Sequence, residues 1–91
     1  MDQSADIVRA ALLRALADVE GVSLEELTEA VNAVGDSAYE LDSKQAEVVI
    51  AALEVELGLA LAGPAALENH QYNTVAALID LVSASVMEAV A

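Results

Sequence analysis

The sequence predicts an all-α fold, a small bundle of three main helices with one or two short ones. Three observations carry this. Apolar residues recur at helical spacing in several segments. The apolar 57% of the chain contains no Phe or Trp and only two Tyr, so Leu, Val, Ile and Ala must build the core. Helix-start patterns and glycine stops punctuate the chain where strand and hairpin signals would otherwise stand. At 91 residues the chain is expected to be a single domain, 1–91.

The first helix is predicted over Ser4 to Val19, where Val8, Leu12, Ala15, Leu16 and Val19 share one face. Ser4 or Asp2 is placed to cap it, and Gly21 ends it. Ser23 with Glu26 has the spacing of a capping box, so Leu24 to about Val34 forms a second helical stretch. Gly35-Asp36-Ser37 reads as a turn within a long first connection. Asp42 with Gln45 gives another capping-box start, and helix then runs to Leu57, with Gly58 where a left-handed C-terminal cap belongs. Gly63-Pro64 marks a loop, and Ala65 to Tyr72 has no decisive pattern but room for one short turn of helix. Asn73 or Thr74 caps a last helix carrying Val75, Leu78, Ile79, Val82, Val86 and Val90 on one face.

Sixteen acidic residues against three basic ones give a formal charge of −13. Such a charge speaks against nucleic-acid or anionic-membrane binding, both of which need Lys/Arg patches, and favours a partner with a basic surface. With no Cys, thiol chemistry must come from a cofactor. No secretory leader is visible in Met1-Asp2-Gln3-Ser4, and the apolar stretch from Val48 to Leu67 is broken by Glu54, Glu56, Gly58, Gly63 and Pro64. A cytoplasmic monomer is the expectation. His70 has no second ligand or nucleophile near it in sequence and reads as surface loop. Glu25, Glu26, Glu29, Asp36, Glu40 and Asp42 lack the calcium-loop spacing and read as a solvated face, so no metal site is expected. Nothing indicates the separated carboxylates or nucleophile–base pair of an enzyme. Tyr39 and Tyr72 read as edge-of-core residues.

Ser43 stands out. It falls in the first turn of the helix that Asp42 caps, where backbone N–H groups lack intrahelical partners and the macrodipole is positive. A phosphodiester is favoured there. Alone, an Asp-Ser pair at a helix start is an ordinary cap. Side chains step about 100° per residue, so Ala46, Val49, Ile50, Leu53 and Leu57 form the core side. Ser43, Glu47 and Glu54 share one edge, with Lys44, Val48, Ala51 and Val55 beside it.

The run Asp42-Ser43-Lys44 through Leu53-Glu54-Val55-Glu56-Leu57-Gly58 resembles the acyl carrier protein pattern Asp-Ser-Leu, followed by a helix ending in Leu-Glu-x-x-Phe/Leu-Gly. Asn73-Thr74-Val75, followed by Leu78, Ile79 and Val82, is similar to the start of that family's last helix. With the first helix included, the resemblance covers nearly the whole chain. It implies an acyl-carrier-like bundle in which Ser43, supported by Asp42, carries 4′-phosphopantetheine as a covalent cofactor installed by a separate phosphopantetheinyl transferase. The arm's thiol then holds acyl groups as thioesters for acyltransferases, ketosynthases or acyl/aminoacyl-loading enzymes. Asp36-Ser37 also resembles the attachment motif, but counting from Ser37 puts Glu47-Val48 at the Leu-Glu position and Ala51 at the Phe/Leu position. Ser43 is therefore the expected attachment point.

Lys44 replaces the family's Leu, and Val48 and Val55 occupy positions that are often acidic. The expected docking face comprises Lys44, Glu47, Val48, Ala51, Glu54 and Val55. Its apolar character fits adaptation to a particular partner; drift, or Val48 packing under the loop around Tyr39, explains it equally well. The Ala/Val-rich, Lys-poor composition suits a GC-rich genome; there the resemblance implies a stand-alone carrier of polyketide or other secondary metabolism, which Lys44 favours over housekeeping fatty-acid synthesis. The competing expectations are an aminoacyl or peptidyl carrier and a non-carrier acidic helical module.

Overall fold

Apolar residues of helical period fold into four α-helices: α1 (Gln3–Glu20), α2 (Leu24–Val34), α3 (Ser43–Leu57) and α4 (Val75–Val90). The computed structural model describes residues 3–90. Two 3-10 turns, Pro64–Ala66 and Asn69–Gln71, lie between α3 and α4. The all-α prediction holds. The described residues contain no strand, only an isolated antiparallel bridge between Glu40 and Thr74. No described helix is long and apolar enough to cross a membrane.

Helix ends follow the capping chemistry, with two differences. Ser4 lies inside α1 rather than at its cap, because the helix already begins at Gln3, and Asp2 lies outside the described residues. Ser23 accepts the Glu26 amide at 3.1 Å, so the side-chain half of that box forms, with no return bond from the Glu26 carboxylate among the described residues. Between Asn73 and Thr74 the cap is Thr74, whose hydroxyl accepts the Ala77 amide at 3.1 Å. The region Ala65 to Tyr72 holds the end of one 3-10 turn and all of a second, the second closed by the Gln71 side chain accepting the Glu68 amide at 2.9 Å.

α1 packs against α2, α3 and α4, and this central position explains its burial. Val8, Leu12 and Leu16 are buried as their spacing predicts, but so are Ala11, Leu13 and Ala17. A helix touched on three sides loses most of its circumference to the core. Leu27 and Val31 of α2, Ala46, Val49, Ile50 and Leu53 of α3, and Val75, Leu78 and Val82 of α4 complete the core with Leu41 and Tyr72. Ala15, Val19, Leu57, Ile79, Val86 and Tyr39 pack at its margin. With no Phe or Trp available, fully buried aliphatic side chains supply the stability, each about 1.5–3 kcal/mol.

Polar ties also converge on α1. Arg9 grips Asp36 with Nε and Nη2 at 3.0 and 3.1 Å, and its Nη2 reaches Asn32 at 3.0 Å. That hydrogen bond to Asp36 raises the Arg9 pKa above its ordinary value. Arg14 pairs with Glu56 of α3. The connection between α2 and α3 is sewn to the start of α4: Leu41 donates to the Asn73 carbonyl at 2.8 Å, Val75 to Tyr39 at 3.2 Å, and Ala76 to Asp36 at 3.0 Å.

Candidate functional site

The start of α3 is fixed from three directions. Asp42 adopts extended backbone angles, and its carboxylate accepts the Gln45 amide at 2.7 Å. The Gln45 side chain accepts the Asp42 amide at 3.0 Å, which completes the reciprocal box. The same Gln45 side chain donates to Glu20 in the last turn of α1. One residue earlier, Leu41 is buried and its amide is held by Asn73. A turn anchored in this way has little freedom to rearrange when a group is attached to it.

Ser43 is the first residue of α3 and is exposed. The Asp42 carbonyl accepts the Ala46 amide at 3.0 Å, and Gln45 is taken by the cap. The amides of Ser43 and Lys44 have no partner among the described residues. A phosphodiester on the Ser43 hydroxyl would thus meet free N–H donors and the positive end of the helix dipole. The residues present fit a serine-linked phosphopantetheine. Ser37, the other serine preceded by Asp, sits in an exposed turn rather than at a helix start, and its neighbour Asp36 is committed to Arg9.

At the far end of α3, Gly58 adopts φ 67° and ψ 34°, the left-handed cap predicted for it. Of the expected docking face, Lys44, Glu47, Val48, Ala51 and Val55 are exposed along α3. Val48 is 48% exposed, so it does not pack beneath the loop around Tyr39, which meets the core itself. Glu54 departs from the expected open position. It is half-buried, and its carboxylate accepts the Leu61 amide at 3.1 Å, anchoring the loop that leaves α3.

Sequence reasoning missed three roles here: Glu20 holding Gln45, Glu54 holding Leu61, and Arg9 holding Asp36. No short-range pattern carries any of them, since the partners lie 25, 7 and 27 residues apart in the chain. His70 is exposed, 3.5 Å from Glu68, and the described residues contain no cluster of three or more His, Cys, Asp or Glu that could hold a metal ion. The chain matches no protein-family model, no curated protein and no solved structure.

Proposed function

We propose that this chain is a carrier protein that bears 4′-phosphopantetheine on Ser43 and holds acyl intermediates as thioesters on the thiol of that arm. The observation that carries this reading is an exposed serine hydroxyl opening a doubly capped helix, with unpartnered amides beside it. Loading from coenzyme A forms a bond from the Ser43 oxygen to phosphorus and releases 3′,5′-ADP, the serine proton leaving to a base on the transferase. Asp42 fixes the turn, and the free amides hold the phosphodiester where it forms.

The partners are a phosphopantetheinyl transferase and the acyltransferase, ketosynthase or acyl/aminoacyl-loading enzymes of a polyketide-like or fatty-acid pathway. The net charge supports diffusional encounter with basic surfaces on such enzymes. Intact-protein mass after incubation with a phosphopantetheinyl transferase and coenzyme A tests the reading. A gain of one phosphopantetheinyl group on the wild type, and none on Ser43→Ala, supports it. An unmodified wild type would leave an acidic helical module that binds partners without carrying anything.

A further inference from the structure

Two side chains near Ser43 are each the poorer choice for their own helix. Glu20 is the last residue of α1, and the last turn of that helix holds no basic residue. A carboxylate there faces the negative end of the macrodipole, in a chain that already carries −13. Gln45 stands three residues after the Asp42 cap, where a capping box takes Glu or Gln alike and the positive helix end favours Glu. Only the amide has a donor left once its oxygen has accepted the Asp42 amide, and that donor goes to Glu20. Each departure is explained by the other.

The tie joins two fixed pieces of backbone. On the α1 side Gly21 is left-handed at φ 70°, its amide donating to the Asp18 carbonyl at 3.3 Å and the Val22 amide to the Ala17 carbonyl at 3.1 Å. This pair of bonds closes the helix and fixes where the Glu20 side chain starts. On the α3 side the Asp42–Gln45 box fixes the first turn. The Leu41 amide holds that turn to the start of α4 at one point. Glu20 supplies a second tether, to a different helix, and so opposes pivoting about Leu41.

Resting on the carrier reading of Ser43, we infer that Glu20 and Gln45 are positioning residues for loading of the arm, holding the Ser43 oxygen on line through the first turn of α3. In loading, that oxygen bonds to phosphorus as the bond from phosphorus to the departing 3′,5′-ADP breaks, and the serine proton passes to a base on the transferase. The attacking oxygen must sit opposite the leaving group, and a displacement of about 1 Å can cost about a hundredfold in rate. Neither residue touches the reacting atoms; both act through the direction of the backbone. Loss of the tie therefore lowers the turnover of a docked carrier rather than its docking.

The test uses the full chain with a phosphopantetheinyl transferase and coenzyme A. Gln45→Glu keeps the box and suits its helix end, but it loses the donor and sets a carboxylate against Glu20. It should lower kcat for loading by about tenfold and leave KM for the carrier unchanged. Glu20→Lys combined with Gln45→Glu rebuilds the tie as an ion pair whose charges suit both helix ends, and should restore kcat to within about twofold. Backbone order parameters at Ser43 and Lys44 should fall in the single variant and recover in the double. A wild-type kcat in Gln45→Glu, or order parameters that do not change, overturns the inference. A rise in KM alone also overturns it, and makes Gln45 a direct contact of the transferase. So does a double variant that stays slow. A wild type that gains no mass is a different failure, since it removes the carrier reading itself and this role with it.

Discussion

Asp42 and Gln45 each hold the other's backbone amide, at 2.7 and 3.0 Å, and Ser43 lies between them. The serine hydroxyl is thus not needed to cap its own helix. Ser43→Ala should abolish phosphopantetheinylation while leaving the melting temperature within a degree or two, since no cap is lost. Asp42→Ala should cost about 1 kcal/mol, or about 4–8 °C in a domain of this size. Intact mass and thermal melts check both. Modification that survives Ser43→Ala but disappears in Ser37→Ala would move the attachment point.

Glu47 and Glu54 look equivalent on a helical projection, but the structure gives them different work. Glu47→Lys should slow acyl transfer through association, with the effect fading as salt is raised, and leave stability unchanged. Glu54→Lys should lower stability by about 1 kcal/mol through loss of the Leu61 anchor. Transfer rates across a salt series, set beside urea midpoints, separate the two. Val55→Asp should weaken transfer at every salt concentration, because it removes apolar contact rather than steering.

Added salt should raise the melting temperature. Sixteen carboxylates face three cations, and two of those cations are already paired. Repulsion among the remaining acids is screened over about 10 Å at 0.1 M ionic strength. A melting temperature that falls between low and moderate salt would mean that ion pairs such as Arg9–Asp36 outweigh the repulsion.

The hydroxyl of Ser83, within α4, is buried without a hydrogen-bond partner among the described residues. Ser83→Ala removes that unsatisfied group and improves helix propensity, so it should stabilise the fold by about 0.5–1 kcal/mol. The urea midpoint should rise with an unchanged slope. A lower midpoint would show that the hydroxyl is satisfied in solution.

The local parts of this fold were legible in the sequence. The Asp42–Gln45 box, the Gly58 cap and the core face Ala46-Val49-Ile50-Leu53 all follow from spacings of three or four residues, which a helix turns directly into geometry. Failures came where a residue serves something distant. Ala11 and Ala17 are buried because α1 has neighbours on three sides, a fact its own periodicity cannot contain. Glu54 has the pattern of a solvated acid, but the chain folds back and brings the Leu61 amide to it. Ser4 has the chemistry of a cap, and only the helix's earlier start denies it that role.

The hydrogen bonds that sew Tyr39 and Leu41 to Asn73 and Val75 close a loop containing all of α3. Closing a long loop costs entropy that only contacts formed across it can offset. Those amides lie between elements rather than at a free helix end, so they are expected to open with the docking of this connection on α4. Their exchange with solvent deuterium should track unfolding of the whole domain. If it does, the end of α3 that bears Ser43 shares the lifetime of the entire fold; exchange much faster than global unfolding would show that this connection opens by itself.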